Sequence, residues 1–161
     1  MQRRLYLRPA SLVRTFTVYG APVGKERARV ISGRAYTPSR TKAYEQWVQL
    51  AAREANIPLL QGPVQMTLVW AKQVPASWSK KHKTESLDKV YATGTPDLDN
   101  VIKAVSDALN GIAYIDDSQV AVISASRIFV EQPSHVVIDI SPLSNWGNPV
   151  ATNVVPWRAN V

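Results

Sequence analysis

Thr95-Pro96-Asp97-Leu98-Asp99-Asn100-Val101-Ile102-Lys103, with Asp116-Asp117 further on, is the stretch on which the reading of this chain turns. Val101, Ile102, Val105, Ala108 and Leu109 recur at helical spacing, so a helix opens at Asp97/Asp99 and stops at the C-cap pair Asn110-Gly111. Asp97 and Asp99 are two apart, and in extended residues ahead of a helix such side chains point the same way. Asp99 falls near the N-cap, where backbone N–H groups and the helix dipole favour an ionised carboxylate. Asp117 can return towards that end. The helix is about 15 Å long at ~1.5 Å per residue, and the residues after it reach roughly 20 Å if extended at ~3.3 Å each. Gly111-Ile112-Ala113-Tyr114-Ile115 is apolar enough to make that return as a short buried extended segment.

Each piece also has an ordinary explanation. An aspartate ahead of a helix usually caps it, and Asp116-Asp117-Ser118 reads as a turn. Lys103 stands four residues after Asp99 and four before Asp107, a spacing that fits a weak surface salt-bridge ladder. Two known patterns are excluded. An EF-hand needs Gly and Glu where this chain has Ile102 and Ala108, and no P-loop surrounds Gly24-Lys25, because Glu26 stands where Ser or Thr is required.

Composition narrows the choice. The 161 residues fit one domain, with 19 Lys plus Arg against 12 Asp plus Glu and a net charge of +7. Clustered acids in such a cationic chain are the pattern of a divalent-metal site that acts on a polyanion. Cysteine is absent and only His82 and His135 are present, which excludes disulfides, thiolate chemistry and a multi-histidine metal centre. No apolar run reaches the ~20 residues of a membrane span. Met1–Pro9 has charges but no apolar core of a secretory signal, so a cytoplasmic location is the default.

Outward from the acidic stretch, Thr15–Tyr19 and Val64–Trp70 read as strands, and residues 39–55 as an amphipathic helix with Tyr44, Trp47, Val48, Ala51 and Ala55 on its apolar side. Gly24–Val30 is a basic ribbon reaching a turn at Ser32-Gly33, and residues 73–95 lack periodicity and read as a long loop. Val120–Val130 and His135–Ser141 read as two strands joined through Gln132-Pro133 as a hairpin. The order predicts a single α+β domain over 15–141, with a mixed or antiparallel sheet of about four strands packed by two main helices. A basic arm over 1–14 precedes it and an irregular tail over 142–161 follows.

The residues from Pro96 to Gly111 and from Tyr114 to Val120 closely resemble the signature of RusA-type Holliday junction endonucleases. Gly24–Arg29, Tyr36-Thr37-Pro38 and Pro75–Lys81 extend the resemblance upstream. It implies a small α+β homodimer, often encoded by phages or prophages, that resolves four-way junctions by paired nicks with Mg²⁺ or Mn²⁺ in a bacterial or phage-infected cell. The essential acids of that family map onto Asp97, Asp99 and Asp117, with Asp116 beside them, and its essential lysine onto Lys103. Where some members carry basic residues ahead of the first acid, this chain has Gly94-Thr95-Pro96.

An all-carboxylate set suits Mg²⁺, a hard cation that takes oxygen ligands. Lys25, Arg27, Arg29 and Arg34 on the early ribbon, with Lys80, Lys81 and Lys83 on the long loop, are the expected phosphate contacts to DNA. Trp78 and Tyr36 are candidates for stacking on an unpaired base, though packing explains them more simply. Other branched DNA, or a non-catalytic nucleic-acid-binding module whose acids only cap a helix, are the competing readings.

Overall fold

A computed structural model describes residues 14–27, 29–31, 34–89 and 91–143. Most of the expected N-terminal arm and C-terminal tail, and the turn at Ser32-Gly33, lie outside the described residues, as do the side chains of Arg29 and Tyr36.

Strands β1 (Arg14–Tyr19), β4 (Val64–Gln73), β5 (Val120–Val130) and β6 (His135–Pro142) form one mixed sheet in the order β1-β6-β4-β5. Two short strands, β2 (Arg29–Ile31) and β3 (Arg34–Tyr36), pair separately. In the central strands every second side chain is buried: Val64, Met66, Leu68 and Trp70 on β4, and Val136, Ile138 and Ile140 on β6. Phe16 and Val18 continue that face on β1.

Helices α1 (Ser39–Glu54) and α3 (Leu98–Leu109) bring the matching apolar stripes, Tyr44, Val48 and Ala52 from the first and Val101, Val105, Ala108 and Leu109 from the second. The result is an α+β domain with one continuous core. Truncating Leu68, fully buried on a central strand, to alanine would cost about 2–5 kcal/mol.

Three expectations from sequence are corrected. First, β5 and β6 do not form a hairpin: β5 runs parallel to β4, and β6 lies antiparallel between β4 and β1. The short link after β5 carries the chain past β4 to the slot beside it. Second, the stretch read as a long loop contains a helix, α2 (Lys80–Lys89), in addition to the two main helices expected. Third, Trp47 is 62% exposed and stands off the buried stripe of α1.

Candidate active site

Helix α3 is amphipathic, and its buried stripe fixes which side chains remain outside. With Val101, Ala104, Val105, Ala108 and Leu109 in the core, Asp99 and Lys103 are exposed and Asp107 is half-buried. These three are four residues apart, so they line one side of the helix. Asp97 is the N-cap residue, with extended backbone, yet its side chain makes no capping hydrogen bond. Among the described residues neither Asp97 nor Asp99 has a hydrogen-bond or ion-pair partner for its carboxylate.

After α3 the chain does turn back along the helix. Gly111, at φ +71°, takes a backbone conformation that side chains rarely adopt, and its N–H donates to the Tyr114 carbonyl at 2.7 Å. Tyr114 is fully buried, and its hydroxyl donates to the Ser106 carbonyl at 2.9 Å. That return leads into a single 3₁₀ turn, Asp117–Gln119, just ahead of β5. Asp116 caps this turn by accepting from Ser118 N–H at 3.0 Å, and hydrogen bonding to Ser118, first to its side chain and then to its backbone, holds the Asp116 carboxyl below its ordinary pKa. Gln119 Oε1 accepts from the N–H groups of Ile115 and Asp116, while its Nε2 donates to the carbonyls of Leu60 and Gly62. The turn is thereby pinned to the segment leading into β4.

Asp117 meets α3 at Lys103, whose Nζ donates to Asp117 Oδ2 at 3.0 Å and to Asp107 Oδ1 at 2.6 Å. Asp107 in turn binds Lys25 Nζ at 2.8 Å, and Lys25 also pairs with Glu45 of α1 at 2.5 Å. One chain of alternating charges, Glu45–Lys25–Asp107–Lys103–Asp117, therefore crosses α1, the loop at Gly24-Lys25, α3 and the 3₁₀ turn. Its electrostatics follow from that alternation. The bond to Asp107, and next that to Asp117, push Lys103 up to about 12. Burial works to raise the Asp107 carboxyl, but Lys103 and Lys25 outweigh it and leave the group lowered. Burial likewise works against charge on Lys25, and the bonds to Asp107 and Glu45 prevail to raise it.

The expected residues thus divide. Asp117, Lys103 and Asp107 are brought together, whereas Asp97 and Asp99 stand at the N-terminal end of α3, with Asp99 about one helical turn before Lys103. No group of three or more acids or histidines is gathered as a metal cage among the described residues. As donors, Asp97 and Asp99 fit a hard cation: they are exposed oxygen ligands with no competing partner.

Of the expected DNA contacts, Arg27, Arg34, Lys80 and Lys81 are exposed, while Lys83 donates to the Ala76 carbonyl at 3.0 Å. Lys25 is engaged within the charge chain. Trp78 stacks on His82 with centroids 4.0 Å apart and meets Phe129 edge-on, which is a packing role.

A cleft of about 530 Å³ opens beside Asp97, lined also by Gly24, Arg40, Lys72, Pro96 and Asn100. Lys72 and Arg40 had no sequence signal as site residues. Gly24 makes the close approach possible: a Cβ there would stand 3.0 Å from both Asn100 Cβ and Pro96 Cβ. Its neighbour Lys25 donates its backbone N–H to the Asn100 carbonyl at 2.8 Å.

A family model described as endodeoxyribonuclease RusA matches residues 19–141. The chain belongs to the RusA family. The chain is also 37% identical over 126 residues to the uncharacterized protein YqaN of Bacillus subtilis (strain 168), an alignment covering 73% of this chain and 89% of YqaN. RusA membership makes the protein an endodeoxyribonuclease and implies the resolution of Holliday junctions. The described fold agrees with RusA in its single α+β domain, four-stranded mixed sheet and three helices. No helix among the described residues is long and apolar enough to cross a membrane.

Proposed function

We propose that this protein is a divalent-metal-dependent endonuclease that resolves four-way DNA junctions by paired, symmetric nicks as a homodimer, in recombination or repair. The observation that carries the reading is the state of Asp97. It occupies a capping position without making a capping bond, beside an equally uncommitted Asp99, in a chain of net charge +7. A merely structural aspartate at that place would be expected to accept from the helix N-terminus.

Asp97 and Asp99 would be the primary ligands for Mg²⁺, or Mn²⁺, with Asp117 completing the set and Asp116 holding the 3₁₀ turn that carries it. When bound, such a cation supplies charge neutralisation at the scissile phosphate and an activated water for in-line attack. Lys103 contributes a fixed positive charge one turn from Asp99, suited to a nonbridging phosphate oxygen. Asp107, anchored through Lys25 and Glu45, orients that ammonium. Exposed Arg27, Arg34, Lys80 and Lys81 supply attraction to phosphates that does not depend on sequence.

Two nicks in fixed relation call for two copies of the site about a twofold axis. The first half of β5, with Val122 and Ile123 nearly half exposed at the edge of the sheet, offers an apolar surface for that contact.

The test is incubation with a labelled four-way junction, a fork and a linear duplex, with and without Mg²⁺. The expected result is symmetric, ligase-sealable nicks in the junction only, dependent on the metal. Cleavage of the junction and the fork alike, with the linear duplex spared, points to a nuclease for branched DNA in general. Asp97→Asn is expected to lower the nicking rate at least ~100-fold while junction binding is kept or tightened. Unchanged cleavage by Asp97→Asn would remove the proposed site.

A further inference from the structure

Arg127 is the one charged residue of β5, and its Nε and Nη1 are directed at backbone. It is the register partner of Trp70 on β4, and its guanidinium lies 4.7 Å from the centroid of that indole. From there Nε donates to the Ala92 carbonyl at 2.8 Å, and Nη1 donates to the carbonyls of Gly94 at 2.6 Å and Pro96 at 2.9 Å. The Arg127 carbonyl accepts from Ala92 N–H at 2.9 Å, and Lys72 Nζ donates to the Thr93 carbonyl at 3.2 Å. Carbonyls of residues 92, 93, 94 and 96 are thus satisfied by cations rooted in the sheet. The next residue is Asp97.

We infer that Arg127 is a positioning residue: by gripping three carbonyls of the 92–96 loop from the sheet, it sets the place from which Asp97 presents its carboxylate. The inference rests on reading Asp97 as a metal ligand. A planar guanidinium is suited to this task because it offers five N–H donors in a rigid fork, and stacking on Trp70 fixes its plane. Lysine has the charge without the fork. The same contacts separate Arg127 from the DNA-binding cations, because its Nε and Nη1 are turned to protein backbone.

The experiment compares full-length wild type, Arg127→Ala and Arg127→Lys by three measurements. These are amide hydrogen exchange over residues 92–98, junction binding without metal, and cleavage at saturating junction across a Mg²⁺ titration. For Arg127→Ala we expect clearly faster exchange in the loop with β4 and β6 unchanged. The cleavage rate should fall about 10–100-fold, the Mg²⁺ midpoint should rise, and metal-free binding should be unchanged. Arg127→Lys should lie between the two, and it carries the test if the alanine variant does not fold.

Wild-type exchange and a wild-type Mg²⁺ midpoint in both variants overturn the inference. So does weakened junction binding with an unchanged saturated rate, which marks a DNA contact. If the wild type itself cleaves no branched DNA, the proposed function fails, and the exchange measurement still decides whether Arg127 holds the loop.

Discussion

Lys103 Nζ stands 3.0 Å from Asp117 Oδ2, tying the middle of α3 to the turn that opens β5. Two segments separated by a tight turn and a buried tyrosine are thereby held in register by charge, with Asp107 sharing the same ammonium. The pair has a direct consequence for how the protein responds to pH.

Lys103, pushed up to about 12 by Asp107 and Asp117, lies above an unfolded lysine near ~10.4. Its contribution to stability is therefore complete below about pH 10.4 and is lost as pH rises through the folded value. Asp107, lowered by Lys103 and Lys25, behaves in the opposite sense. Its contribution is present above the unfolded ~3.9 and lost as pH falls through its lower folded value. The melting-temperature difference between wild type and Asp107→Asn should hold steady over roughly pH 5–9 and close as pH falls from the unfolded ~3.9 through the lower folded value. Lys103 should also remain an ammonium across that range, so no limb of the rate–pH profile below about pH 10 belongs to it.

Lys25→Met should separate architecture from DNA binding. The substitution leaves half-buried Glu45 without its cation and half-buried Asp107 with Lys103 alone. We expect a loss of about 1–3 kcal/mol in urea unfolding. The salt dependence of junction binding should hardly change, because this lysine already has two carboxylate partners. A shallower salt slope with full stability would instead mark Lys25 as a phosphate contact.

Gly24→Ala tests the close approach of the early loop to α3. The added methyl would meet Asn100 Cβ and Pro96 Cβ at 3.0 Å, so the loop must give way. A destabilisation of about 1–3 kcal/mol is expected, with reduced cleavage because Pro96 and Asn100 bracket the acids. A melting curve matching the wild type would mean that the loop yields freely.

Lys80→Ala and Lys81→Ala remove exposed charges of α2 that serve little internal purpose; Lys81 has only a 4.0 Å pair with Glu85. If α2 faces the DNA backbone, each should lower the slope of log K against log salt by about 1. Stability should stay within about 0.5 kcal/mol. Titrations with labelled junction at several salt concentrations decide this.

What the sequence disclosed depended on whether a feature is written in side-chain periodicity. Helix α3 was legible because its apolar positions repeat cleanly and Asn110-Gly111 stops them. The strands β1, β4, β5 and β6 were legible from alternation and β-branched residues. Helix α2 was not, because Lys80–Lys89 is nearly all polar and only Ser86 of its described side chains is buried. The partners of β5 and β6 were hidden for another reason. A short link suits a hairpin as well as a step across a strand, and only non-local packing chooses between them.

Within the site, Asp97, Asp99, Asp117 and Lys103 were visible by their spacing. Arg127 was invisible because its partners are backbone carbonyls, which leave no mark on residue identity.

Strand β6 sits between β1 and β4, although it follows every acidic residue of the site in the chain. A ribosome-bound nascent polypeptide can thus display Asp97, Asp99, Asp116 and Asp117 while its sheet still has a gap at the centre. The parallel partner of β4 likewise waits on closure of a long crossover, a slow kind of contact. Nicking competence should consequently be acquired only after translation has passed residue 142, and fragments ending before β6 should be inert towards DNA.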